Sequence, residues 1–256
     1  MKFLSNTVLL DVLKLATKEE LISLTSLIKE RKVKKPSKIK DIRDEISSIG
    51  GHTLSNIFRG GDGTGYLDIL DDVVSELNIK GLPSYNSEVK YFDETDNLKY
   101  SREESIELGI EYAKKVEEKI ILKILELSYE KMTKEEKKSF DEQVNEIANK
   151  FDNNTKTYLT GGAGLIALGN LGGFATYTFL TTSLSTLSMG SLGFATYTGA
   201  TSLLSVLLGP VGWASLGAIA VLTLGSPNTK KLIPIVATIG AIRQRIEYEK
   251  QLIVEK

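Results

Sequence analysis

The residue types that could do chemistry are thinly spread, beginning with one histidine, His52, set between Gly51 and Thr53. An imidazole can serve as a base near neutral pH or as a metal ligand. With a single histidine and no cysteine in the chain, neither a histidine cluster, a thiolate metal site nor a cysteine nucleophile can be assembled. His52 is therefore read as a structural residue at a helix boundary. Shortly after it, Gly60-Gly61-Asp62-Gly63-Thr64-Gly65 has the glycine density of a phosphate cradle. A cradle of that type needs a closing Gly-Lys-Ser/Thr and a preceding strand, and this loop has no lysine and follows a helical pattern. A tight helix-to-helix turn that uses glycine at positive φ is the expectation. Asp62, Asp68, Asp71 and Asp72 do not have calcium-loop spacing. No catalytic residue, cofactor site or metal site is expected, and the chain is read as non-enzymatic; an enzyme would have to work through Asp62 or His52.

The elements around this loop read as helices. Thr17-Lys18-Glu19-Glu20, Ser101-Arg102-Glu103-Glu104 and Thr133-Lys134-Glu135-Glu136 are capping boxes, in which a hydroxyl accepts from the third helical amide and a glutamate reaches back to the cap amide. Behind the first, Leu21, Leu24, Leu27 and Ile28 form one apolar face, with a helix end expected near Lys32. A helical unit over 39–49 breaks at Gly50-Gly51 and resumes over 53–58. Tyr66, Ile69, Leu70, Val73, Val74 and Leu77 mark the next buried stripe, and residues 84–100 are left as a polar loop. Ile106, Ile110, Ala113, Val116, Ile120, Ile124 and Leu127 line the strongest helix. Phe140, Val144, Ile147 and Phe151 continue the same spacing, which predicts an antiparallel helix pair turning near Met132. A last helix over about 236–253 is expected to bury Ile239, Ile242, Ile246 and Leu252 and to leave Arg243, Arg245 and Lys250 outside. The N-terminal apolar run from Phe3 to Leu10 is short for a signal peptide and lacks a small-residue cleavage site, so no export signal is read.

Charge is distributed very unevenly. The 32 basic and 33 acidic side chains nearly cancel, so no global field recommends nucleic acid as a partner. Locally, residues 29–43 form a basic linker around Pro36, which reads either as a solvated connector or as a surface for anionic lipid headgroups. After Lys156 no charged residue or histidine appears until Lys230, leaving 73 consecutive uncharged positions, 157–229. They hold 13 of the chain's 22 glycines. Gly173-Phe174-Ala175-Thr176-Tyr177-Thr178 recurs as Gly193-Phe194-Ala195-Thr196-Tyr197-Thr198. That offset of 20 residues would advance a helix by about 30 Å, near the thickness of a bilayer core. Residues 158–180 and 187–208 are candidate spans, a Gly209-Pro210 break follows the second, and 211–224, which contains Trp213, is short for a third. Gly169 and Gly173, four apart, would let helices approach closely. Frequent Gly, Ser and Thr make each candidate marginal as a permanent span. The block therefore reads as a helical hairpin that either enters a membrane or stays in a globular core.

The segment from Gly50-Gly51-His52 through Asn56, Arg59 and Gly60, followed by Tyr66-Leu67-Asp68-Ile69-Leu70-Asp71-Asp72-Val73, resembles the central signature of the bacterial YaaW family. Thr17-Lys18-Glu19-Glu20-Leu21, Lys131-Met132-Thr133-Lys134-Glu135-Glu136, Gly209-Pro210-Val211-Gly212 and Ile233-Pro234 recur there in the same order, so the resemblance covers most of the chain. It implies the signature positions Gly50, Gly51, Asn56, Arg59, Gly60 and Tyr66, and no catalytic residue. The loop from Arg59 to Tyr66 is one residue longer than the family's Arg-Gly-x-Gly-x-x-Tyr. The family is grouped distantly with ubiquinol-cytochrome c chaperones, which implies a soluble, chaperone-like assembly factor as one function.

These readings converge on an all-α protein, a multi-helix bundle of amphipathic helices over 1–154 with a Gly-rich, uncharged helical hairpin region and a basic C-terminal helix over 155–256. The expected function is a non-enzymatic, cytoplasmic protein that engages the inner membrane through 157–229 as a regulated, membrane-perturbing effector. Membrane lipid or a membrane protein is the expected partner, with another protein or a second copy of the chain as further candidates. Gly169, Gly173, Phe174, Tyr177, Gly193, Phe194, Tyr197, Gly209, Pro210 and Trp213 are the residues expected to carry that activity.

Overall fold

The computed structural model describes residues 2–51, 64–82, 101–131, 133–135, 137–138, 141–142 and 227–254. Among these, six helices pack into one bundle: α1 Lys2–Leu15, α2 Lys18–Ile28, α3 Ile39–Gly51, α4 Tyr66–Glu76, α5 Arg102–Lys131 and α6 Pro227–Val254. The all-α bundle expected from the sequence is what the described residues form. The hairpin expected over 157–229 lies outside the described residues, apart from 227–229, which open α6.

Local chemistry sets most of the boundaries. At the start of α2 the Glu20 amide donates to Thr17 Oγ1 at 3.2 Å while the Thr17 amide donates to Glu20 Oε2 at 2.7 Å. The same reciprocal bonds join Ser101 and Glu104 at the head of α5. α2 ends at Ile28, a turn earlier than its composition suggested. The reason is a Schellman closure: Glu30 takes the left-handed conformation at φ 51°, its amide donates to the Leu27 carbonyl, and the Arg31 amide donates to the Ser26 carbonyl. Asn78, at φ 52°, closes α4 in the same way.

Two helices depart from expectation. The N-terminal run, read only as too short for export, is the helix α1, which buries Val8, Leu9, Val12 and Leu13 on one stripe. α6 begins at Pro227 rather than near Val236 and runs straight through Pro234. It packs against each of the other five helices. Leu232, Ile233, Ile235, Val236, Ala237, Thr238, Ile239, Ala241 and Ile242 are all buried, so no polar face is left to give the helix a period. Ile239, Ile242 and Ile246 are inside as expected, and Lys250 is outside. Arg243 and Arg245, expected at the surface, are instead 3% and 6% exposed.

The stripes on α4 and α5 follow the sequence. Tyr66, Ile69, Leu70, Val73 and Leu77 are buried with Leu67, and Ala113, Val116, Ile120 and Ile124 are buried with Tyr112 and Ile121. Each Leu or Ile fully withdrawn from water contributes about 1.5–3 kcal/mol. Of the expected helix pair, the described part is the turn: the Lys137 amide donates to the Thr133 carbonyl, and the Tyr129 hydroxyl reaches Asp141 at 3.0 Å. Residues 143–151 lie outside the described residues.

Candidate functional site

Burying two arginines in a helix core requires partners that remain charged, because an unpaired buried charge costs several kcal/mol. Arg243 meets Glu117 of α5 as a fork on a carboxylate: Nε donates to Oε2 at 2.7 Å and Nη2 to Oε1 at 3.1 Å, with Nη2 also 3.5 Å from the Val8 carbonyl of α1. Tyr66, the first residue of α4, donates its hydroxyl to Glu117 Oε1 at 2.7 Å. Three helices thus meet on one carboxylate, and a fourth, α1, reaches its arginine. Gly240 makes the approach possible, since a Cβ there would lie 2.8 Å from Glu117 Cβ. Burial opposes the charge on Arg243, but the adjoining Glu117 carboxylate outweighs it and raises the guanidinium pKa. Burial first, and then the negative charge of Glu117, push the Tyr66 phenol well above its ordinary value, so it remains a neutral donor.

Two residues along, Arg245 faces another side of α6 and meets Glu20 of α2. Its Nε donates to Oε1 at 2.7 Å and its Nη2 to Oε2 at 2.9 Å, while Nη2 also donates to the Leu15 carbonyl at 3.0 Å and Nη1 to Glu249 at 2.6 Å. The same Glu20 closes the cap of α2. As at Arg243, burial opposes the charge and the bonded carboxylates outweigh it.

Both clusters are closed and internally satisfied, and among the described residues no group of acidic or histidine side chains could hold a metal ion. Their chemistry is to fix helix register. The pairs also reveal the course of the chain. Along α5 and α6, Lys114 pairs with Glu247, Glu117 with Arg243, and Gly240 lies against Glu117 and Ile121, so the two helices run antiparallel. Continued at this register, the C-terminal end of α5 comes level with the first turn of α6. The chain that contains the uncharged block therefore leaves and re-enters at one end of the bundle. α2 also runs antiparallel to α6, with Glu20 at Arg245 and Glu30 at Lys231, 3.0 Å away. The basic segment that follows Glu30 is consequently at that same end. It is held there by α2, whose Ser26 hydroxyl accepts from the Val33 amide and whose Thr25 hydroxyl accepts from the Ser37 amide.

Of the residues singled out by sequence, Gly50 and Tyr66 sit at the α3–α4 junction. Gly50 is pressed against Ile69, where a Cβ would fall 2.6 Å from Cγ1, and the Thr64 amide donates to the Ser47 carbonyl. Gly51 ends α3. Beside Tyr66, the Leu67 amide donates to Ser5 Oγ at 2.7 Å, and Gly65 leaves room for that hydroxyl. Asp71 accepts from the Tyr112 hydroxyl. His52, Asn56, Arg59, Gly60 and Asp62 lie outside the described residues, as do Gly169, Gly173, Phe174, Tyr177, Gly193, Phe194, Tyr197, Gly209, Pro210 and Trp213. Sequence reasoning missed Glu117, Arg243, Glu20 and Arg245 as partners. The signal available for Glu117 was its position one residue after Val116 on the apolar face of α5.

The chain is 26% identical over 215 residues to the UPF0174 protein of Helicobacter pylori, a distant homology that takes in 80% of this chain and 88% of that one. No protein-family profile matches the chain, and no solved structure does.

Proposed function

We propose that this chain is a non-enzymatic protein that engages membrane through residues 157–229, a regulated membrane-perturbing effector acting from the cytoplasm on the inner membrane. The observation that carries this reading is the shared end. The 73-residue uncharged block belongs to the connection between two helices that are bonded to each other in antiparallel register, so it can change surroundings while the Arg243–Glu117 pair keeps the bundle closed. Among the described residues no helix is long and apolar enough to cross a membrane.

The test uses the chain's single tryptophan, Trp213, which belongs to the block. Liposomes whose acyl chains carry bromine should quench its fluorescence and shift its emission to the blue. Unchanged Trp213 emission across pH and lipid charge would sink the reading. That outcome would favour the second one, a soluble chaperone-like assembly factor, which draws on the YaaW-like signature from Gly50 to Tyr66. The distant homology to the Helicobacter pylori protein fits membership of the YaaW family without requiring it.

A further inference from the structure

Between Lys29 and Lys40 the chain presents seven lysine and arginine side chains, all exposed, against the single acid Glu30. The carboxylate of Glu30 is already engaged by Lys231. The segment is not a loose tether: the Schellman turn at Glu30 and the Thr25 and Ser26 hydroxyls give it a set course across the end of the bundle. Lys32, Lys34, Lys35 and Lys38 have no ion-pair partner among the described residues, so their charge is available to a partner outside the chain. At the same end the uncharged block runs into α6, whose first turn holds its last residues, 227–229.

We infer that residues 29–40 form an anionic-lipid docking surface, which sets the bundle on a negatively charged bilayer with its block-bearing end toward the lipid. The inference rests on the membrane reading above and adds its lipid class. The chemistry is that of a polybasic segment on an anionic leaflet, in which each lysine near the surface raises partitioning about fivefold, within a range set by the screening length. A basic segment at the opposite end would hold the block away from the bilayer. Here the basic segment and the point at which the block joins α6 share one end, so binding by the lysines brings that junction to the interface.

The experiment compares the full chain with a variant carrying Lys32→Gln, Lys34→Gln, Lys35→Gln and Lys38→Gln, all surface changes away from the two buried pairs. Circular dichroism and a thermal melt establish that the bundle is intact. Sedimentation with neutral phosphatidylcholine vesicles and with vesicles holding a third of phosphatidylglycerol reads docking, and Trp213 quenching by brominated chains reads entry of the block. Expected are binding of the wild type to anionic vesicles at least about tenfold stronger than to neutral ones, loss of most of that difference in the variant, and weakening of wild-type binding in half-molar salt. Equal binding of wild type and variant to anionic vesicles would overturn the inference, and Trp213 quenching in that case would leave the membrane reading standing. Charge-dependent sedimentation without Trp213 quenching would do the reverse, keeping the docking surface and removing entry of the block.

Discussion

Arg243 and Arg245 stand two residues apart on one helix and are both buried against a glutamate, yet their surroundings differ in kind. Glu117 depends on other helices for every bond it makes, receiving Arg243 from α6 and Tyr66 from α4. Glu20 is also held from within its own helix by the Thr17 amide, and its arginine has the half-exposed Glu249 in reserve. One pair is a purely tertiary junction, and the other is a tertiary bond added to a helix cap. The difference predicts how each fails. Removing Arg243 strands a carboxylate in the middle of the bundle, whereas removing Arg245 leaves Glu20 the charge-assisted bond from the Thr17 amide.

The comparison can be broken in order of effect. Arg243→Met should cost about 3–5 kcal/mol in urea unfolding, as expected when one partner of a buried pair is lost. Adding Glu117→Leu should recover part of that loss, and a double variant no better than the single one would show that the carboxylate was not the stranded group. Arg245→Met should cost less, about 1–3 kcal/mol, and a loss equal to that of Arg243→Met would erase the distinction. Gly240→Ala gains helix propensity but drives a Cβ to 2.8 Å from that of Glu117, so a net loss of about 1–2 kcal/mol in urea unfolding is expected. Thr17→Ala should cost about 1 kcal/mol through the cap, and because it keeps the Thr17 amide that holds Glu20, its effect should add to that of Arg245→Met to within about 0.5 kcal/mol.

The smallest effect is one of pH. Burial would raise the Glu247 pKa, but bonds from Lys114 and Lys250 reverse that, and its pKa in the fold is lowered. Its contribution is therefore fully present above the ordinary glutamate value of about 4.3 and is lost as pH falls through the lower, folded value. Lys114→Met should reduce that slope on the acid limb of a stability profile, by about a few tenths of a kcal/mol for a half-buried pair, with the Lys250 bond left in place.

What the sequence made legible was local. The capping boxes at Thr17 and Ser101 were readable because donor and acceptor sit three residues apart, and the stripes of α4 and α5 because one face of each helix meets the core. The two arginine pairs were not, because Glu117 lies 126 residues from Arg243 and Glu20 lies 225 residues from Arg245. The rule that charges face water then pointed both arginines the wrong way. α6 defeated periodicity for a related reason, since a helix enclosed by five others has no solvent stripe to mark its phase. The end of α2 was misjudged because a glutamate, not a glycine, occupies the left-handed position at φ 51°. The signature positions Gly50 and Tyr66 were identified as residues, but not the contacts that each makes.

Pro234 gives α6 an uneven mechanical profile. With no amide hydrogen, it leaves the Lys230 carbonyl without its usual donor four residues on. The turns from Pro227 to Ile233, where the chain arrives from the uncharged block, are thus joined to the rest of the helix by one backbone hydrogen bond fewer. A pull applied through the block would load this stretch first, peeling it bond by bond with the Lys231–Glu30 pair. Beyond it the same pull would meet Arg243 and Arg245 in shear, both forks strained together. The helix is accordingly a tether whose lead yields only as far as Leu232 and Ile233, which are fully buried and tie it to the core.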